Sequence, residues 1–305
     1  MNHFLTIDGV SRVELEGLLD DADEFVDVLH RPIPKVPALR GKTVATMFFE
    51  PSTRTKMSFE KAAKALSADT MSFSPGTSSL SKGESLKDTV LTVKAMGTDA
   101  MVVRHQSIGA PWRIAEWIQQ PVVNGGDGAH QHPTQALLDA LTIRQHFGSL
   151  DGLKIGIVGD IRHSRVARSD TQAFARLGAD VTMVAPRTLL PVDPTVFPAE
   201  VSEDLDEVLG DFDVVYVLRV QAERGGASLF PSLPEYTARY GITKERFARL
   251  DPDAIVMHPG PMNRGVEIEG AVADDPRALI LDQVFNGVAV RMAVLFRLLG
   301  GEHDG

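Results

Sequence analysis

The sequence predicts an α/β fold of two doubly wound parallel-sheet domains joined by helices. Short apolar segments alternate with longer segments of helical periodicity along most of the chain, a pattern typical of parallel sheets covered by helices. The alternation starts again after a run of turn-forming residues at 148–152. A length of 305 residues suits about two domains of ordinary size.

The first domain is predicted to span residues 1–148. Apolar residues at helical spacing among acids predict a first helix over 11–30. Apolar runs between turn signals predict strands at 43–49, 71–73, 99–103 and 121–124. Helical periodicity predicts further helices at 53–66, 84–96, 111–119 and 133–147. The Ser- and Gly-rich stretch that ends at Gly83 predicts a loop.

The second domain is predicted to span residues 149–285. Its apolar runs predict strands at 154–158, 181–184, 214–218 and 254–257. A helix is expected at 164–177, and a last apolar helix at about 284–299.

Composition narrows the class of protein. The 31 Lys and Arg residues against 41 Asp and Glu residues give a net charge of −10, which disfavours nucleic acid as a partner but not a small anion. The chain has no cysteine, which excludes disulfides, cysteine metal sites and thiolate chemistry. No signal peptide and no apolar run of about 18 residues is visible, so we expect a cytoplasmic protein without a membrane partner.

Ligands of such sheets bind beyond the carboxyl ends of the strands, which selects the segments after Phe49, Val103, Val158 and Leu218. The first contains Ser52, Thr53, Arg54 and Thr55 at a predicted helix start. Backbone N–H groups and an arginine there could hold a phosphate. A capped helix with a solvated arginine is an equally good interpretation of this segment alone.

Two polar groups follow the next strands. Arg104 lies where an apolar strand stops, and a glycine-rich loop enters a helix at Pro133. His132 and Gln135 would then offer an imidazole and an amide to one ligand. The pair His130 and His132 could suggest a metal, but we see no nearby carboxylate to complete a ligand set and predict none.

The second domain has its own cations at predicted strand ends. Gly156 and Gly159 do not form the G-x-G-x-x-G fingerprint of dinucleotide binding. Three arginines crowd the following helix start instead, which suits an anionic ligand better than a dinucleotide. An exposed basic helix face is the alternative interpretation of this segment. Further along, Arg219 and Gln221 would face the same side of an extended segment. The three arginines are Arg162, Arg165 and Arg168.

Two more segments complete the candidates. Lys82 lies in the Ser- and Gly-rich loop, where a solvated lysine is the default interpretation. The turn after the last strand, 258–261, exposes backbone carbonyls beside Pro259, Gly260 and Pro261. Together these cations at strand ends predict a transferase or hydrolase whose substrate carries more than one negative group.

Two motifs carry a family resemblance over essentially the whole chain. Phe48-Phe49-Glu50-Pro51-Ser52-Thr53-Arg54-Thr55 resembles the carbamoyl-phosphate motif of the carbamoyltransferases, and His132-Pro133-Thr134-Gln135 resembles their H-P-x-Q motif. Leu218-Arg219-Val220-Gln221 and His258-Pro259-Gly260-Pro261 are similar to the aspartate branch of that family. The D-x-x-x-S-M-G and H-C-L-P segments of the ornithine branch are not present.

The resemblance implies a reaction and two domain roles. The reaction is transfer of the carbamoyl group of carbamoyl phosphate to the amine of L-aspartate in pyrimidine biosynthesis. Residues 1–148, completed by a C-terminal helix at about 286–305, would bind carbamoyl phosphate, and residues 149–285 would bind aspartate. It further implies a homotrimer with shared active sites and no metal or cofactor, and it leaves a separate regulatory chain open.

The resemblance also implies residue roles. Ser52, Thr53, Arg54 and Thr55 would bind the phosphate. Thr55, Arg104 and His132 would surround the carbonyl oxygen, while Gln135 and the backbone at Gly260 and Pro261 would bind the amino group. Arg165, Arg219 and Gln221 would bind aspartate, with Lys82 entering from a neighbouring subunit. The implied catalytic residues are Arg54, Thr55, Lys82, Arg104 and His132.

Two departures and three alternatives remain. Ser78, Ser79 and Ser81 compete for the role of one family serine, and Gly260 stands where many relatives have leucine. One alternative is a carbamoyltransferase for ornithine or a related amine, although Arg165 and Arg219 would make its pocket basic. Another is an inactive scaffolding paralogue, which should have lost one of five side chains that are all present: Arg54, Lys82, Arg104, His132 and Arg219. A dehydrogenase is disfavoured by the missing glycine fingerprint.

Overall fold

The computed structural model describes residues 2–73, 83–220 and 232–300. They form two compact units. Unit 1 comprises Met1–Leu141 and Val284–Gly305, and unit 2 comprises Thr142–Gln283. The chain passes between the units within two helices, whereas the sequence prediction placed the first boundary at 148–149.

Unit 1 contains a four-stranded sheet in which every strand is parallel to its neighbour. Its strands are β1 (Thr43–Phe48), β2 (Asp69–Phe73), β3 (Ala100–His105) and β4 (Val122–Asp127). Its helices begin with α1 (Arg12–Leu29), α2 (Thr53–Ala65), α3 (Leu86–Ala95), α4 (Ala110–Trp117) and α5 (Pro133–Phe147). Nearly every residue of β1 and β4 is buried, as expected of strands covered on both faces.

Unit 2 contains a five-stranded parallel sheet. Its strands are β5 (Lys154–Val158), β6 (Asp180–Val184), β7 (Glu200–Ser202), β8 (Val214–Val217) and β9 (Ile255–Met257). Its helices are α6 (Arg165–Arg176), α7 (Leu205–Val208), α8 (Leu233–Tyr240), α9 (Lys244–Phe247) and α10 (Gly270–Ala273), and the last helix, α11 (Ile280–Leu299), continues into unit 1. Short 3₁₀ segments lie at Arg187–Leu189, Pro194–Val196 and Leu209–Asp211.

The order of strands identifies where each sheet can bind a ligand. The order is β2-β1-β3-β4 in unit 1 and β7-β6-β5-β8-β9 in unit 2. The direction of winding therefore reverses between β1 and β3, and again between β5 and β8. Crevices at such switch points are the usual ligand sites of doubly wound sheets. The four segments selected from the sequence lie at the ends of these four strands.

The structure contains every strand and helix that the sequence predicts and adds β7 and several short helices. The predicted end of β4 is three residues too early, because β4 continues through Asn124-Gly125-Gly126 to Asp127. A side chain at Gly125 would lie 3.3 Å from the carbonyl oxygen of Val103, so glycine permits the close approach of β3. None of the described helices is long and apolar enough to cross a membrane.

A buried arginine ties three elements of unit 2 together. The Arg246 guanidinium binds Asp206 at two points, with Nε at 3.0 Å from Oδ1 and Nη2 at 2.6 Å from Oδ2. It also donates to the carbonyl oxygens of Ala238 and Gly241 at 2.8 Å. Arg249 contacts the same carboxylate. Hydrogen bonds from Arg246 and Arg249 lower the pKa of Asp206 to about 2.

The ion pair of Arg246 and Asp206 should make the free energy of unfolding sensitive to acid. Because the pKa of Asp206 is lower in the folded chain, its stabilisation is present above about pH 4 and is lost as the pH falls towards about 2. Asp206→Asn should reduce the free energy of unfolding by about 1 kcal/mol at neutral pH, a modest value because water screens the half-exposed carboxylate. The difference from wild type should shrink below pH 4 in urea unfolding curves. A difference that does not change with pH would contradict the assignment, and Asp211→Asn, at an exposed position of the same unit, is the control for loss of a surface charge.

Candidate active site

The first site segment is the start of α2, directly after β1. Ser52 is the N-cap residue with extended backbone, but its side chain makes no capping hydrogen bond to the helix. The first turn carries no acidic residue, so the positive end of the helix dipole is not offset there. Thr53 and Arg54 are exposed, whereas Thr55 is buried. This helix end has the chemistry of an anion site.

An open cavity of about 730 Å³ lies at this end of the sheet in unit 1. It is lined by the end of β1, the following turn, the first two turns of α2 and one residue of β2. The lining residues are Phe48, Phe49, Glu50, Pro51, Ser52, Thr53, Lys56, Met57, Glu60 and Ser72. Ser52 and Thr53 thus border a space large enough for a small molecule.

Arg104 lies at the end of β3, opposite Phe48 of β1 in the parallel register. Its Nη2 lies 3.1 Å from Oε1 of Glu50, and its Nη1 donates to the carbonyl oxygen of Gly125 at 3.3 Å. Glu50 follows β1 and Gly125 belongs to β4. The guanidinium is therefore held at the carboxyl edge of the sheet, at the predicted switch point.

A buried carboxylate fixes the loop that leads to His132. Asp127 is fully buried and accepts hydrogen bonds from the backbone N–H of Gln131 and of Gly109, at 3.1 and 2.8 Å. Asn124 Nδ2 also donates to it at 2.8 Å. His132 is itself buried, directly before the first residue of α5. The imidazole therefore follows a turn whose backbone is held by the Asp127 carboxylate.

The same turn bears on the metal prediction. Asp127 Oδ2 lies 3.2 Å from Nδ1 of His130, so a carboxylate does accompany this histidine, contrary to the expectation from sequence. No group of three or more His, Asp or Glu side chains among the described residues could hold a metal ion.

Gln135 lies one turn into α5 and is buried. Its Nε2 lies 3.1 Å from both carboxylate oxygens of Asp139, which is also buried. Asp139 was not predicted from the sequence, because it stands among apolar residues of a buried helix. Its spacing of four residues from Gln135, which places the two on one helix face, was the available signal.

Unit 2 brings two of its predicted cations to adjacent strand ends. Arg165 is the first residue of α6, which follows β5, and Arg219 follows β8, which pairs with β5. Arg165 is buried and Arg219 is half-buried. Burial of Arg165 argues against a solvated basic face. Arg162 is exposed, and Arg168 packs over the ring of Phe197 at 5.3 Å, where burial lowers its pKa.

The turn after β9 is held by a buried pair. His258 and Glu267 are both fully buried, with Nε2 at 3.3 Å from Oε1. The backbone N–H of Gly260 donates to Nδ1 of His258 at 2.8 Å, so the ring proton lies on Nε2, facing Glu267. Asn263 Nδ2 donates to the carbonyl oxygen of Val220 at 3.3 Å, which links this turn to the segment after β8. Sequence analysis did not single out Glu267 or Asn263.

Some predicted residues cannot be placed. Lys82 and Gln221 lie outside the described residues, as do Ser78, Ser79 and Ser81. Their roles stay predictions.

Models of two protein domains match most of the chain. Residues 2–145 match the aspartate/ornithine carbamoyltransferase carbamoyl-P binding domain, and residues 151–298 match the Asp/Orn binding domain of the same family. Proteins named aspartate carbamoyltransferase catalytic subunit from Acidothermus cellulolyticus and Thermobifida fusca are each 56% identical over 301 residues. These alignments cover 99% of this chain and 93% and 96% of the relatives.

Solved structures of aspartate transcarbamoylases are similar to this chain over nearly its whole length. Aspartate transcarbamoylase from Trypanosoma cruzi in complex with N-(phosphonacetyl)-L-aspartic acid is 32% identical with a TM-score of 0.90, covering 98% of this chain and 96% of that one. The same enzyme in complex with carbamoyl phosphate and aspartate is 31% identical with a TM-score of 0.89, and the match covers 98% of this chain and 97% of that one. The catalytic subunit of M. jannaschii aspartate transcarbamoylase is 37% identical with a TM-score of 0.85 over the full length of both chains. This chain therefore belongs to the aspartate/ornithine carbamoyltransferase family.

Proposed function

We propose that this chain transfers the carbamoyl group of carbamoyl phosphate to the amine of L-aspartate, giving N-carbamoyl-L-aspartate and phosphate. The observation that carries the proposal is its 56% identity, over nearly the whole chain, to proteins named aspartate carbamoyltransferase catalytic subunit. The domain matches support residues 1–148, completed by the C-terminal helix, as the carbamoyl-phosphate half and residues 149–285 as the aspartate half.

The phosphate group of carbamoyl phosphate binds at the start of α2. Ser52, Thr53, Arg54 and Thr55 hold the phosphate through hydroxyls, backbone N–H groups and one guanidinium. The absence of acids from this first helical turn supports the assignment, because an acid there would repel the phosphate. Lys82 of a neighbouring subunit adds a further positive charge as the phosphate leaves.

The carbonyl oxygen of the carbamoyl group gains negative charge when it is attacked. Thr55, Arg104 and His132 donate hydrogen bonds to it. They lie at the ends or just beyond the ends of three neighbouring strands, β1, β3 and β4, which supports a common role. One such donor in an oxyanion hole is typically worth about 3–4 kcal/mol of the barrier. Gln135 and the carbonyl groups at Gly260 and Pro261 bind the amino group.

The acceptor half binds aspartate through Arg165, Arg219 and Gln221, with Lys82 assisting. The aspartate amine attacks the carbamoyl carbon, a C–N bond forms, and the C–O bond to phosphate breaks. The departing phosphate takes the proton that the amine loses, so no side-chain carboxylate is needed as a base. Much of the acceleration comes from holding two anions in contact, which arginines make favourable.

An assay with two different amine acceptors distinguishes the proposed reaction from the alternative functions. Purified chain is supplied with carbamoyl phosphate and either aspartate or ornithine, and the ureido product is measured. We expect product with aspartate alone. Product with ornithine would retain the phosphate site but overturn the acceptor assignment, and no product from either in a folded protein would favour the scaffolding alternative.

We also propose a cytoplasmic homotrimer whose active sites are shared between subunits, and we leave a separate regulatory chain open. Sedimentation should give three times the 33.1 kDa of one chain. Sharing of active sites between subunits has a more direct test. Arg54→Ala and Lys82→Ala chains, each inactive alone, are unfolded, mixed in equal amounts and refolded. If each site takes these residues from different subunits, about a quarter of the sites in random trimers are intact. A mixture as inactive as either variant would contradict sharing.

A further inference from the structure

The buried face of α5 holds a charge that the proposed chemistry does not use. Asp139 is fully buried, and both its oxygens accept from Nε2 of Gln135 at 3.1 Å. The neighbours of Asp139 on α5 are the buried Leu138 and Ala140, so the carboxylate lies in an apolar stretch. A buried carboxylate is costly unless it is hydrogen-bonded and balanced by a cation.

Arg291 of the C-terminal helix supplies that cation. It is buried, and burial lowers the pKa of its guanidinium to about 9 while the attraction of Asp139 opposes the shift. Its Nη1 donates to Oγ of Ser58 on α2 at 2.8 Å and to the carbonyl oxygen of Gly287 at 3.0 Å. Its guanidinium also lies 5.1 Å from the ring of Phe59. Arg291 is thereby fixed against α2 while it balances Asp139.

The carboxylate determines which end of the Gln135 amide faces it. An ionised carboxylate can only accept hydrogen bonds, whereas an amide has a donating NH₂ end and an accepting oxygen. Turning the amide over would place its oxygen against Asp139 in a buried, weakly screened site. The amide oxygen accepts no hydrogen bond from the described residues, so it remains available as an acceptor.

We infer that Asp139 is a positioning residue that makes the site selective for acyl phosphates bearing an NH₂ group. By holding the NH₂ end of Gln135, it presents the amide oxygen to the donor hydrogens of the carbamoyl group. The inference rests on the proposed function, in which Gln135 contacts that group. An acyl phosphate with a methyl group in the same place offers no donor and gains nothing from this orientation.

The test compares three ligands on the full-length protein. Calorimetry gives the Kd of carbamoyl phosphate, acetyl phosphate and inorganic phosphate for wild type and for Asp139→Asn, which removes the charge and keeps the shape. Loss of one oriented hydrogen bond should weaken carbamoyl phosphate about tenfold. Acetyl phosphate and inorganic phosphate should stay within about twofold of wild type, because their binding does not involve the amide oxygen. Asp8→Asn, on an exposed turn, is the matched control.

A second variant protects the test against misfolding. Asp139→Asn leaves Arg291 buried without its counter-charge, so the double variant Asp139→Asn/Arg291→Gln, which removes both charges, is measured as well. It should show the same loss of preference for carbamoyl phosphate over acetyl phosphate.

The outcomes separate the inference from the proposed function. Equal weakening of all three ligands would show a purely structural role and overturn the inference, as would an unchanged preference in both variants. Wild-type protein that binds no carbamoyl phosphate would instead overturn the proposed function, and the inference with it.

Discussion

Replacing Arg54 by alanine should lower kcat by about 100- to 1,000-fold, the usual cost of removing a group that stabilises developing charge. Arg54 is exposed at the start of α2, and we propose that its guanidinium neutralises the phosphate as the bond to carbon breaks. Since the side chain is not part of the core, the fold should survive. Steady-state rates and circular dichroism on the same samples measure both quantities.

The control for Arg54 is on the same helix. Lys61→Ala removes an exposed positive charge from α2 two turns further on and should leave kcat within about twofold. A nearly normal rate in Arg54→Ala would contradict the phosphate assignment. Equal losses in both variants would point to the net charge of the helix and not to a specific contact.

Replacing Arg219 by alanine should reduce kcat/KM for aspartate by at least about 30-fold, because removing one partner of a desolvated charge pair costs about 2–5 kcal/mol. Arg219 follows β8, beside the end of β5 that leads to Arg165. The loss should appear mainly as a raised KM for aspartate. Initial rates at varied aspartate, with carbamoyl phosphate saturating, measure it.

The Kd of carbamoyl phosphate shows which of the two substrates Arg219 contacts. It should stay within about twofold of wild type, because Arg219 is assigned to aspartate alone. Arg239→Ala, which removes an exposed arginine of α8 in the same unit, should change neither quantity. A weakened carbamoyl phosphate complex with an unchanged KM for aspartate would reverse the assignment of Arg219.

Local signals were enough to predict the central strands. The prediction of Lys154–Val158 matches β5 in both bounds, because an apolar run between Gly152 and Gly159 has clear limits. By contrast, β7 has only three residues, none of them buried, so no hydrophobic pattern marks it. The end of β4 was missed because Gly125 and Gly126 look like loop residues, whereas both belong to the strand and Gly125 packs closely against β3.

The sequence indicated candidate site residues at or just beyond the ends of strands. Arg104, at the end of β3, and Arg219, just after β8, were selected because strand ends at a switch point are where ligands bind. Arg291 and Glu267 were not selected, since their partners Ser58 and His258 are brought close only by the tertiary fold. Asp139 was not selected either, although its partner Gln135 lies four residues before it on the same helix. A lone charge inside an apolar helical stretch, as at Asp139 and Arg291, is the signal that would have marked two of them.

The two-part construction of unit 1 has a consequence for how the protein is made. Ribosomes release the chain from its amino end, and domains generally fold as they emerge. Unit 2 is one continuous stretch, Thr142–Gln283, and can be complete before α11 has been translated. Unit 1 must wait for α11, because Arg291, the counter-charge of Asp139, is synthesised after all of unit 2. The half of the protein that is encoded first is therefore the last to finish folding.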